Sequence, residues 1–194
     1  MHPAQSKTVF LALATAIALV LGVSVEGVDV RVEFDKAFNF KPVRTWAWNT
    51  EGAGRVIMAR SSSDDAEAAK KTAEPWIVDA VSTEINKRGL QPATAAPDLT
   101  VTYYLLLSTN MTAQTMGQFL PATAAWGLPP FAPATQSLQM MNQGSLVLDL
   151  KTSSAVVWRG VAQAKISFDT TDQKREALVR EAVRDLLKRY PPKQ

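Results

Sequence analysis

From residue 28 the chain alternates strictly. Val28, Val30, Val32 and Phe34 are apolar, and Asp29, Arg31, Glu33 and Asp35 between them are charged. A period of two places one set on a buried strand face and the other in water, so a first strand is predicted here. Pro42 marks a turn, and "VRTWAW" predicts a second strand with Trp46 and Trp48 on one face as core material. Residues 50–71 carry Gly, Ser and paired charges and read as a loop. They hold one helical turn around 64–71, where Asp64 and Asp65 suit the positive end of the helix dipole.

The period then changes. Ile77, Val78, Val81 and Ile85 recur at helical spacing, with Thr72 as cap, Pro75 in the first turn and Gly89 as the stop. Alternation returns in "LTVTYYLLL", where Leu99, Val101, Tyr103, Leu105 and Leu107 share a face, and in "GSLVLDL", where Leu146, Leu148 and Leu150 point inward and Ser145, Val147 and Asp149 outward. In "AVVWRGVAQAKISF" the core set is Val156, Trp158, Gly160, Ala162, Ala164, Ile166 and Phe168, which leaves Arg159, Gln163 and Lys165 to solvent. For Leu150 and Val156 to share a face the intervening loop must hold an odd number of residues, so a hairpin loop of about three or five residues beginning at Lys151 is predicted. A last helix over 172–190 carries Val179, Ala182, Val183, Leu186, Leu187 and Tyr190 as its stripe, and Pro191 and Pro192 end it. Its Lys174, Arg175, Arg180, Arg184, Lys188 and Arg189, mixed with Glu176, Glu181 and Asp185, read as a salt-bridged exposed face.

Strands with one wet face and helices with one apolar stripe fit an α+β two-layer sandwich. The expected form is a mainly antiparallel four- to five-stranded sheet with two helices packed on one face, in the order ββα-βββα. Ahead of it, residues 9–25 run without a charge behind Lys7, and Val25 and Gly27 are compact enough for signal peptidase. Residues 1–27 are therefore read as a signal peptide and 28–194 as a single domain. An uncleaved anchor is the competing reading, with membrane association through residues 9–25.

One stretch has no period. Residues 108–143 contain no charged side chain and carry Met111, Met116, Phe119, Trp126, Phe131, Met140 and Met141. This length is abnormal for a connection inside a compact domain. It reads as a flexible hairpin extension, as a contact surface for a partner or a membrane through those seven residues, or as a copper(I) site of thioether sulfurs.

Composition narrows the chemistry. Cysteine is absent and the sole histidine is His2, so catalysis through an imidazole base and ordinary zinc sites have no residues to use in the exported body. No Gly-rich phosphate loop appears, and 21 basic against 18 acidic side chains give no nucleic-acid footprint. Asp29, Glu33 and Asp35, with Arg31 among them, read as a solvated strand face. The alternative is that they flank a bound sugar or hold calcium.

Four segments, "VRVEFDKAFNFKPVRTWAW", "APDLTVTYYL", "GSLVLDLKTSSAVVWRGVAQAKI" and "REALVREAVRDLLKRYPPK", together resemble the domain-of-unknown-function 4136 family of bacterial envelope proteins, many of them lipoproteins. The resemblance implies one α+β domain in the envelope of Gram-negative bacteria, and it brings no catalytic residues with it. The chain departs from the lipoprotein members in having no lipobox cysteine, which leaves a soluble periplasmic or a signal-anchored form. The expectation is thus an exported, non-enzymatic binding or scaffold module of the periplasm or cell envelope. It has no cofactor and no nucleic-acid partner, and it contacts an envelope protein, glycan or lipid. The alternatives are a carboxylate-dependent hydrolase of envelope glycan working through Asp29, Glu33 or Asp35, and a carrier of a small apolar ligand held between sheet and helices.

Overall fold

The computed structural model describes residues 27–59, 65–108, 143–166 and 170–192. The uncharged run at residues 9–25 lies outside them, as do Met111, Met116, Phe119, Trp126, Phe131, Met140 and Met141. No described helix is long and apolar enough to cross a membrane.

The domain is α+β. Its elements are β1 (Asp29–Phe34), β2 (Thr45–Trp48), β3 (Gly54–Ala59), α1 (Ala66–Lys87), β4 (Gln91–Pro92), β5 (Leu99–Ser108), β6 (Gln143–Lys151), β7 (Val156–Lys165) and α2 (Asp172–Leu187). They build one mixed seven-stranded sheet of order β1-β7-β6-β5-β2-β4, with β3 also on β5. The expected mainly antiparallel four- to five-stranded sheet is therefore corrected. β2 and β3 both lie parallel to β5, whereas β1, β7, β6 and β5 pair antiparallel. A parallel pair needs a crossover, and α1 supplies it.

β2 and β3 are two halves of one interrupted strand. Trp48 pairs with Val101 and Gly54 with Tyr103. Between them residues 49–53 loop out, held at their ends by Asn49 N–H to Val101 O and Tyr103 N–H to Ala53 O, each at 3.0 Å. Gly52, at φ +118°, makes the tight return, in a region an L side chain rarely enters.

α1 begins earlier than its apolar stripe. Asp65 is the N-cap, its carboxylate accepting from the N–H groups of Glu67 and Ala68 at 3.0 Å. Thr72 is thus not a cap, and Pro75 lies inside the helix, where its ring nitrogen cannot donate to the Lys71 carbonyl. α2 is capped by Thr171, whose Oγ1 accepts from Lys174 N–H at 3.3 Å. Arg180 bridges the helices, reaching Asp79 of α1 at 2.7 Å and Glu176 of α2 at 2.7 Å.

The hairpin between β6 and β7 differs from expectation. Lys151 pairs with Val156 across a four-residue loop, and the register then shifts so that Leu150 faces Trp158. Val157 is the extra residue of a β-bulge, and it restores the odd count that alternation requires. Val157 and Trp158 both join the core, while Val156 is buried outside that cluster.

Both helices turn their buried residues toward the face carrying Leu99, Val101, Tyr103, Leu105, Leu146, Leu148, Leu150 and Trp158. The other face is not wet. Thr102, Leu106, Ser145, Val147, Asp149, Arg159 and Val161 are all buried there.

A hollow between the helices and the sheet

The space between helices and sheet is filled at one end and hollow at the other. At the C-terminal ends of α1 and α2 it holds rings. Phe40 packs edge-on against Phe38, Phe34 and Tyr190, with ring centres 4.7, 6.3 and 5.8 Å apart, and Tyr190 packs on Trp158 at 6.1 Å. Trp46 donates its indole N–H to Asn86 Oδ1 at 3.0 Å. Gly160 makes room for this cluster, since a Cβ there would stand 2.6 Å from the Trp158 ring and 2.7 Å from Leu186.

At the N-terminal ends of the helices the same positions of the pattern hold small side chains. Ala73 of α1, Ala182 of α2, Ala162 of β7 and Gly144 of β6 are buried there, with Leu105 and Leu146 as floor. The result is a cleft of about 470 Å³, within the range of about 300–1,000 Å³ typical of small-molecule sites. Its polar lining residues are few: Thr72, whose hydroxyl donates to the Ala68 carbonyl at 3.1 Å, Gln163, whose side-chain amide turns away to Ser145 Oγ at 3.3 Å on the opposite face of the sheet, and Asp172 with Arg175, whose charged groups meet at 3.2 Å. Trp76 is the sole aromatic side chain among the described residues that line it. Such a cavity can hold hydrocarbon, and the carboxylate among its described lining residues, Asp172, is paired with Arg175.

On the opposite face of the sheet lies a row of charge that the sequence assigns to solvent. Thr102, Asp149, Arg159 and Glu33 stand in register on β5, β6, β7 and β1. Arg159 donates through Nε and Nη2 to both carboxylate oxygens of Asp149, and both side chains are buried. Burial raises the Asp149 carboxyl above its ordinary range against the opposing pull of Arg159. It raises the Tyr104 phenol as well, with Asp149 adding to the shift. The expected solvent position of Arg159 is corrected, because its fork is matched by a carboxylate on the neighbouring strand and the pair is buried together.

The predicted carboxylate group does not assemble. Asp29 pairs with Arg31 at 3.4 Å. Asp35 follows the end of β1 and accepts from Ala37 N–H at 2.8 Å, making a turn. Glu33 lies opposite Arg159. Asp29 and Glu33 are four residues apart on an extended strand, about 13 Å at about 3.3 Å per residue. That is wider than the separations of about 5–9.5 Å in glycosidic carboxylate pairs. Among the described residues no group of three or more His, Cys, Asp or Glu side chains gathers as a metal site.

The sequence places Ala162, Ala164 and Ala182 on the core side and leaves a small apolar ligand between sheet and helices as one alternative, without locating a cleft. The available signal was their size, seen in β7, where Ala162 and Ala164 follow Trp158, and in α2, where Ala182 precedes Tyr190.

A PDZ domain protein from Parabacteroides distasonis shares the fold with a TM-score of 0.51 at 14% identity over 87% of this chain, which spans 37% of that protein. A DUF4136 family protein from Bacteroides thetaiotaomicron aligns over 85% of this chain and 96% of its own, at 18% identity and a TM-score of 0.48. The PelC dodecamer from Paraburkholderia phytofirmans aligns over 82% of this chain and 96% of its own, at 9% identity and a TM-score of 0.39. No curated protein matches the sequence. The model of a domain of unknown function, DUF4136, matches residues 30–192, and the chain belongs to that family.

Proposed function

We propose that this domain is a non-enzymatic binding module of the cell envelope that holds a small apolar ligand in the hollow end of its core. The observation that carries the reading is the cleft of about 470 Å³ walled by alanine, glycine and aliphatic side chains. Apolar surface left open to water is unfavourable by roughly 25 cal/mol per Å², so an apolar occupant stabilises the domain by covering it. The absence of Cys, and of any His beyond His2, supports a binding role over catalysis. The uncharged run at residues 9–25 supports export. The hydrolase alternative draws no support from Asp29, Glu33 and Asp35, because two of the three are engaged in local structure.

Native mass spectrometry of the protein purified without detergent tests the reading, together with binding of an environment-sensitive apolar dye. The expected result is a bound mass lost on organic extraction, and dye binding reduced at least tenfold by Ala69→Trp, which fills the cleft from a half-exposed position on α1. A protein without bound mass whose dye binding is unchanged by that substitution sinks the proposal. Cell fractionation tests the location, and recovery of the full-length chain in the cytosol overturns it.

A further inference from the structure

We infer that copies of this chain join through the edges of their sheets, β3 of one copy taking β1 of the next as an antiparallel neighbour. The sheets then run on head to tail, and the cleft plays no part in the contact.

The edges of the sheet are unequal. β4, which flanks β2, is two residues long and contains Pro92, and a short strand with proline is a poor template for further pairing. β3 is different. Among the described strands its sole neighbour is β5, so Gly54–Ala59 has no strand along its second edge. Val56, Ile57 and Met58 are partly exposed there, and the strand holds neither proline nor an acidic residue. A bare edge of this length and composition is a template for another strand.

The opposite edge has the matching pattern. β1 is also six residues long and pairs with β7 alone among the described strands. Three antiparallel steps, from β5 through β6 and β7, leave β1 running against β3. Copies joined with their helices on the same side therefore bring the two strands together antiparallel. Full overlap sets Gly54 opposite Phe34 and Arg55 opposite Glu33. Val56 then meets Val32 and Met58 meets Val30, all four on the side of the sheet that carries the helices, and Ile57 meets Arg31 on the far side. A slip of one residue would set Val56 against Arg31 and Met58 against Asp29.

Charge selects the pairing. The far side of β1 presents Asp29, Arg31 and Glu33, with Asp35 just beyond, whereas the charged residue of β3 is the exposed Arg55. Two β1 edges, each with three acids to one base, repel each other, and β3 supplies the missing cation. Each copy has one edge of each kind, so association does not stop at two copies. It continues until a ring closes or a filament grows.

The chain has no cysteine, so single introduced thiols report the contact cleanly. Arg31→Cys and Ile57→Cys fall directly opposite each other in the proposed pairing, about 5 Å apart between Cβ atoms. The expected result is a disulfide-linked dimer when the two variants are mixed under mild oxidation, with little from either variant alone. Sedimentation of the intact protein should show an average mass that climbs past twice the monomer as concentration rises. Arg55→Glu, a change at an exposed position that should leave the melting curve unaltered, sets an acid against Glu33 and should weaken association at least tenfold. Linking of Ile57→Cys or of Arg31→Cys with itself, or growth that stops at a dimer, overturns the head-to-tail arrangement. The inference also fails if the mixture gives no link and the protein stays monomeric to about 0.1 mM, or if Arg55→Glu associates as well as the parent.

Discussion

The two ends of the core are built from the same strands and the same helices, yet one is packed with rings and the other is open. Trp158, Tyr190 and Phe40 fill the first, and Ala73, Ala162 and Ala182 line the second. Polarity does not distinguish the ends, because both are apolar. Side-chain volume does. Protein interiors normally pack at a density of about 0.75, and unfilled apolar volume inside a core is destabilising by roughly 24 cal/mol per Å³. Neither glycine marks the difference, since a Cβ at Gly160 would stand 2.6 Å from the Trp158 ring and one at Gly144 2.4 Å from Ile166, so the opening lies along the alanines of α1, α2 and β7. The hollow is consistent with a space kept for something else.

The sharpest way to separate the ends is to remove bulk where it is used. Trp158→Ala should lower the unfolding free energy by about 3–5 kcal/mol in urea titrations, as expected for truncating a fully buried large aromatic side chain. A loss below about 1 kcal/mol would mean that the filled end is not the stabilising half. Adding a single methyl there should also hurt. Gly160→Ala is expected to lower stability by about 1–3 kcal/mol through its approach to Trp158 and Leu186, read as a drop in denaturant midpoint.

Proton release gives a third handle on the filled end. Burial pushes the Tyr190 phenol up to about 12 from an ordinary value near 10, and it raises Tyr103 in the same direction with help from Glu74. Above pH 10 the unfolded chain loses these protons while the folded one keeps them, so stability falls as pH rises from about 10 to 12. Tyr190→Phe should flatten that fall in melting temperature, and an unchanged slope would place the sensitivity elsewhere.

The smallest expected effect has the opposite sign. Ala73→Leu adds apolar volume to the open cleft and should leave stability unchanged or raise it by about 1 kcal/mol, while weakening dye binding. A clear loss of stability would show the hollow end to be as full as its counterpart, and would erase the distinction between them.

Much of this architecture is legible in the sequence because half-buried strands write their faces in alternation. β1, β5, β6 and the run from Trp158 to Ala162 all have the inward sets that periodicity assigns, while Phe168 lies outside the described residues. What escapes does so for identifiable reasons. "GRVIMA" in β3 is a short apolar run that shows no period. The first two turns of α1 are alanines and charges that favour a helix without marking a stripe, so the start slides toward Thr72. Asp149 and Arg159 fall on outward positions, and periodicity cannot tell a charge that meets water from one that meets its partner across a strand. The cleft is the hardest to read, because alternation reports which side chains turn inward and is silent on whether they meet.

Val157 is the one residue of β7 that the ladder does not count. Exchange for any residue that keeps the bulge is a packing change of ordinary size. Deleting it would place Trp158 directly after Val156 and opposite Leu150, the partner it already has, so the hairpin would become regular with the phase of β7 unchanged. Losing a single residue from Arg159 onward would instead turn every later side chain to the other face of the sheet. Length variation in this hairpin is thus absorbed at residues 152–155 and at Val157, and the strand beyond behaves as a reading frame.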